Sequence, residues 1–243
     1  MKPIGDHDSV FAPLDPDHRL ERIAGGSETD VYRSDDRRYV VKLKHHREET
    51  SGEALGLARK MHAAAADFAA CLGPRHSIPS FHFLSRDSAG RVQVVTVQPY
   101  LGNACSLAEV DYYLLSDKEW KQLVMQLRSI MRSAIYCYRH TGHMPDLYGS
   151  VSGSTAERLR LNAPPMWPRR VWNFLTRQSL LRAHNLMVTN GPERRVVLVD
   201  YDRARWDNWF GRLYYGLCRL LYWRDRRLIL RPRHPRRYVR SSP

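Results

Sequence analysis

Acidic residues are scarce beside basic ones: 25 Asp and Glu stand against 39 Lys and Arg in 243 residues, a formal net charge of +14, with a pI near 10.0. That deficit favours anionic partners, among them nucleotides, nucleic acid and acidic lipid, without choosing between them. Cysteine is sparse as well. Cys71, Cys105, Cys137 and Cys218 are scattered with no C-x-x-C pair, and the Cys137/His140 spacing has no second ligand pair to complete a zinc site. Free thiols in a reducing compartment are therefore expected. No apolar run approaches the roughly 20 residues of a spanning helix. Residues 1–18 carry acids and prolines where a signal peptide would have an apolar core, so neither a signal nor a transit peptide is expected. A cytoplasmic location follows, the inner membrane surface included.

What is present is enough for a folded protein with a large core: 43% of the residues are hydrophobic and 10% aromatic. After a mobile leader over 1–18, the stretch from Leu20 reads as three strands, into Ile23, over Thr29–Arg33 and over Arg38–Lys44, with Gly25-Gly26-Ser27 at the first bend. Glycines there let backbone N–H groups approach an anion closely, and Ser27 adds a hydroxyl. Lys42 sits inside the apolar run VVKLK, on the face opposite Val41 and Leu43. Next comes a helix over Glu48–Leu72. Ala54, Ala58, Met61, Ala65, Phe68 and Leu72 recur on it at spacings of four and three, and Gly73-Pro74 ends it. Glu49 and Glu53, one turn apart, are both candidates to pair with Lys42.

Two further strands, Ser80–Leu84 and Val92–Pro99, lead into Gln98-Pro99-Tyr100-Leu101, where an apolar strand gives way to a linker. The capping box Ser116-Asp117-Lys118-Glu119 opens a long core-facing helix that runs to about Arg139 and stops at Gly142. Asp146 follows in a short Pro-Asp segment. The stretch from His184 to Arg205 is the most informative of the chain. Its runs Asn185–Thr189 and Arg195–Val199 flank an Asn-Gly-Pro turn, which places Asn185 and Asp200 at one end of a hairpin. An amide and a carboxylate converging there are hard oxygen ligands suited to Mg²⁺ beside a phosphate. Alone, the same pattern also describes an ordinary hairpin with turn-forming Asn and Asp.

Beyond Asp202, twelve arginines from Arg203 to Arg240 face only Asp207 and Asp225, which gives +10 of the chain's +14. Arg205, Arg212, Arg219, Arg226 and Arg233 recur every seven residues beside an apolar side that includes Leu217, Leu220 and Leu221. This is an amphipathic helix that either completes the fold with solvated arginines or meets an anionic membrane surface; nucleic acid is the least favoured partner. The tail over 232–243 should be loose.

The ordered set of a glycine turn, strand lysine, helix glutamate, linker, capped helix, Asp segment, Asn and strand-borne Asp resembles the protein-kinase-like fold. More narrowly it resembles the small divergent bacterial kinase-like proteins related to aminoglycoside phosphotransferases, over about Arg19–Arg205. The resemblance implies an α+β fold of two lobes, an antiparallel-sheet N-lobe over 19–101 and a mainly helical, reduced C-lobe over 102–231. It implies ATP and Mg²⁺ as cofactors and a hydroxyl-bearing substrate. Gly25, Gly26 and Ser27 look like the phosphate-covering loop and Lys42 like the lysine on the α/β-phosphates, with Glu53 its partner. Gln98 and Tyr100 look like the adenine-holding linker, Asn185 and Asp200 like the metal ligands, and Asp146 like the acceptor of the substrate proton.

Three departures stand out. The glycine loop lacks its third glycine, with Asp30 preceding Val31. Asp200-Tyr201-Asp202 replaces D-F-G. In the kinase pattern the catalytic Asp lies five residues before the metal Asn, but that position here is Leu180, and Asp146 lies 39 residues upstream. Either an insertion over 150–181 separates Asp146 from its place, or the base is absent and the chain is a nucleotide-binding pseudokinase. The position of Asp146 after the long helix favours the insertion.

Overall fold

A computed structural model describes residues 20–25, 29–44, 50–86, 92–148, 179–191, 193–201 and 209–230. The leader, Gly26, Ser27, Glu49, most of the 150–181 stretch, Asp202, Arg203, Arg205 and the basic tail lie outside the described residues.

The first part of the chain forms five strands: β1 Leu20–Gly25, β2 Thr29–Ser34, β3 Tyr39–Lys44, β4 Phe81–Arg86 and β5 Val92–Pro99. They form one antiparallel sheet in the order β1-β2-β3-β5-β4. Helix α1, Ser51–Leu72, lies in sequence between β3 and β4 and buries Ala54, Ala58, Ala64, Ala65, Phe68 and Leu72. Ala54 and Ala58 meet Val92 and Val94 of β5 in a small cluster, while Phe68 and Leu72 belong to the main core. The sheet and the helical part thus share α1.

After the sheet the chain becomes helical. Ser116 accepts from Glu119 N at the start of α2, Asp117–Thr141, and Gly142 ends it with φ 75, a left-handed turn that glycine adopts without strain. Its buried Leu123, Val124, Leu127, Ile130, Met131 and Ala134 form the middle of the main core. A three-stranded antiparallel sheet, β6 Ala104–Ser106, β7 Leu186–Thr189 and β8 Val196–Leu198, lies against it. Strand β6 falls where the sequence reads as linker. The buried Gln126 side chain fixes β8 to α2, donating to Arg194 O (2.7 Å) and accepting from Val196 N (2.9 Å). The last helix, α3, spans Trp209–Leu230 and packs Tyr215, Cys218, Leu221, Tyr222 and Ile229 into the same core. Among the described residues, no helix is long and apolar enough to cross a membrane.

The segment after α1 binds the second sheet directly. His76 O accepts from Leu198 N (2.9 Å), and the buried His76 ring, through Nδ1, donates to Val196 O (2.9 Å) when neutral. Burial holds the imidazole below its ordinary value of 6.5; the charges of Arg75 and Arg195 push the same way, and the Val196 bond opposes them. Below pH 6.5 the unfolded chain takes up a proton that the folded chain resists. The contribution of His76 is therefore complete above that value and is lost as the pH falls through the folded-state pKa. Urea midpoints of the native protein should fall between pH 7.5 and pH 5.5, and His76→Gln, whose amide can still donate to Val196, should flatten that part of the slope. A slope equal in both proteins removes His76 as its source.

Candidate active site

Strand β3 sets Lys42 between Val31 of β2 and Thr96 of β5. Its ammonium leaves the sheet and donates to Val199 O at 2.7 Å, 157 positions away in the chain. Val199 N donates to Asn185 O (3.0 Å), and Asn185 Nδ2 donates to Asp146 O (2.9 Å). Lys42, the peptide before Asp200, Asn185 and Asp146 are thereby joined in one hydrogen-bond chain. The sequence supplies the two ends of this chain, but its hub is a main-chain group. Val199 has no polar side chain to announce the role.

The hub is held from two more directions. Gln98, 2% exposed, donates through Nε2 to Val199 O (3.1 Å) and to Ser80 Oγ (2.7 Å). Tyr201 is buried with its hydroxyl between the two backbone groups of Ile78, accepting from the N–H (2.6 Å) and donating to the carbonyl (3.0 Å). Burial pushes that phenol up to about 12, so it stays a donor at neutral pH. A cavity of about 130 Å³ opens at this point, lined by Val31 and Lys42 from the sheet, Gln98 from β5, and Val199, Asp200 and Tyr201 from the hairpin end.

The metal candidates fit in kind. Asn185 Nδ2 is committed to Asp146 O, which leaves Oδ1 as its ligand atom, and Asp200 lines the cavity at Lys42; amide and carboxylate oxygens are hard ligands. Among the described residues no cluster of three or more His, Cys, Asp or Glu side chains gathers around one point. A two-ligand set of this kind suits Mg²⁺ that brings waters and substrate phosphates with it.

Other expected site residues are placed differently. The Glu53 carboxylate accepts from Thr50 N and Thr50 Oγ1, both at 3.0 Å, and closes the capping box of α1 instead of pairing with Lys42. Tyr100 spends its N–H on Arg38 O (2.8 Å). Its hydroxyl accepts from Arg33 (3.3 Å), whose guanidinium lies 5.5 Å from the ring centroid. Gln98 lies opposite Val40 in the ladder and turns its side chain to Val199, so it serves the hub and the sheet. Gly25 ends β1 opposite Asp30.

Asp146 is half-buried, and its Oδ1 accepts from Tyr148 N (3.1 Å). Leu180, five residues before Asn185, is fully buried in the core. Beneath both lies a residue that the sequence reading counted only as charge. Asp225 of α3, 1% exposed, accepts through Oδ2 from Leu180 N (2.7 Å) and Tyr148 Oη (3.1 Å), and through Oδ1 from Arg224 Nη2 (2.8 Å). Its signal was available: Leu221, Asp225 and Ile229 are spaced by four, so the carboxylate rides the apolar face of an amphipathic helix.

A five-stranded antiparallel sheet with a helix between its third and fourth strands leads into a helical part. There, a lysine from the third strand reaches the Asn/Asp end of a short hairpin. The fold is protein-kinase-like. No family model and no curated protein matches the sequence. Solved kinase-like structures align over most of the chain. One is a spectinomycin phosphotransferase with ADP and spectinomycin, 14% identical over 91% of this chain and 84% of that one, TM-score 0.42. Another is the GDP complex of an aminoglycoside 2'-phosphotransferase variant, 13% identical over 92% and 80%, TM-score 0.41. A MAP kinase from Leishmania major is 10% identical over 84% of this chain and 51% of that one, TM-score 0.40. At such scores these likenesses carry no argument about activity or substrate.

Proposed function

We propose that this chain is a kinase-like phosphotransferase that binds ATP with Mg²⁺ at the Lys42–Asp200 end of the cleft and moves the γ-phosphate to a hydroxyl acceptor. The observation that carries this reading is the hydrogen-bond chain from Lys42 through Val199 and Asn185 to Asp146. Phosphoryl transfer asks chiefly for positioning and charge neutralisation. In this reading Lys42 offsets phosphate charge, and Asn185 and Asp200 would hold Mg²⁺, which would supply further neutralising charge to the phosphates. Asp146 takes the proton of the acceptor hydroxyl as its oxygen bonds to phosphorus and ADP leaves. Asp146→Asn is expected to lower ADP production by about 100-fold or more while nucleotide affinity changes little. Fluorescent-nucleotide titration and an ADP-release assay read the two quantities separately. Unchanged turnover removes Asp146 from the mechanism.

One observation favours a second reading, a pseudokinase. The position five before Asn185 holds the fully buried Leu180 in place of a carboxylate. A protein of this kind would bind nucleotide, show no turnover with any acceptor, and be indifferent to Asp146→Asn.

A further inference from the structure

Five arginines gather around one groove away from the cavity at Lys42. Helix α2 projects Arg128, Arg132 and Arg139 along one stripe, and α3 faces it with Arg219 and Arg226. Between them runs a groove of about 240 Å³ floored by Met131, Ile135 and Tyr222, and none of the residues lining it is acidic. It shares no residue with the cavity at Lys42. Among the described residues none of the five arginines has an ion pair or a side-chain hydrogen bond, whereas their neighbour Arg224 pairs with Asp225. Arg227 also differs, lying 3.6 Å from the centroid of the Trp223 ring.

We propose that this groove receives the phosphate of an anionic phospholipid headgroup and docks the helical part of the protein on an acidic membrane surface. Like charges around one concavity repel, and an anion seated among them relieves the repulsion. The clustered guanidinium groups supply the positive charge that attracts an anionic headgroup. The choice of a lipid over a free phosphate rests on what flanks the groove. Trp223, 55% exposed, lines it, and Leu220, 59% exposed, lies three residues away on α3. A soluble anion has no use for such side chains, while a headgroup is continuous with an interface into which they partition. The sequence left the arginines of the last helix between solvated surface charge and contact with an anionic membrane. The fold adds three more from α2 and gathers both sets around one cavity.

The test uses the full chain and flotation with phosphatidylcholine vesicles, with and without phosphatidylglycerol, at physiological salt. Binding is expected only to the anionic vesicles. The variant R128Q/R132Q/R219Q/R226Q should lose more than about tenfold in vesicle affinity, because each basic residue near the surface contributes on the order of 1 kcal/mol. Removing the same charge from the tail, R233Q/R236Q/R237Q/R240Q, should cost less than about threefold if the groove is the site. R128K/R132K/R219K/R226K keeps the charge and should bind within about threefold of the native chain. Equal losses in the groove and tail variants, equal losses with Gln and Lys, or no vesicle binding would each overturn the proposal. Groove-dependent binding of pyrophosphate or a single-stranded oligonucleotide without vesicle binding would overturn the lipid assignment and give the groove to a soluble anion. Nucleotide titration of the groove variant, expected to be unchanged, keeps the result separate from the phosphotransfer reading.

Discussion

Asp225→Ala is expected to destabilise the protein by about 3–5 kcal/mol, the range for removing one partner from a buried charge network. The carboxylate is 1% exposed and accepts from a backbone N–H, a phenol and a guanidinium. Its loss leaves Leu180 N and Tyr148 Oη in the core without an acceptor, and each such group costs about 1–3 kcal/mol. Tyr148 cannot adjust by ionising, because burial, the main cause of its raised pKa, persists without Asp225 and keeps the phenol far above its usual range. Asp225→Asn keeps one oxygen for Leu180 and should cost roughly half as much as the alanine. Urea unfolding of the native, Ala and Asn proteins measures all three. A cost below about 1 kcal/mol for the alanine would mean that the buried carboxylate stabilises nothing beyond its own desolvation.

The second large effect concerns Lys42. Lys42→Met should leave the fold nearly intact, because Val199 O also accepts from Gln98 Nε2 at 3.1 Å and so keeps a donor. The stability loss should stay near about 1 kcal/mol, the net value of one hydrogen bond. Function should respond far more. Removing a positioned cation or donor that meets charge developing in a transition state costs about 100- to 1,000-fold, and ADP production should fall by that factor. Arginine should not rescue it, since a fork has a different reach and shape from a point ammonium. Turnover that survives Lys42→Met would move the phosphate site away from this end of the sheet.

Legibility in the sequence divides along a physical line. Periodic side-chain patterns were readable: the stripe of α1, the capped α2, and the hairpin that puts Asn185 and the peptide before Asp200 at one end. Features carried by the backbone or by context were not. Strand β6 has three residues, too few for a period, and exists because β7 offers it an edge. Val199 acts through its carbonyl. Gln98 sits on a strand whose apolar neighbours hide its role as a buried donor. Glu53 shows the competition between two uses of one carboxylate. The Thr50-x-x-Glu53 spacing satisfies the orphan donors at the start of α1, and that local demand takes the side chain before Lys42 can.

The anchor at Asp225 has a consequence for how this chain can change. Tyr148 and Leu180, the last residue before and the second after the stretch from 149 to 178, are tied to the same carboxylate. Both ends of that stretch are therefore pinned independently of what lies between them. The two flanks thus depend on one side chain of α3, and a change at position 225 would release both at once.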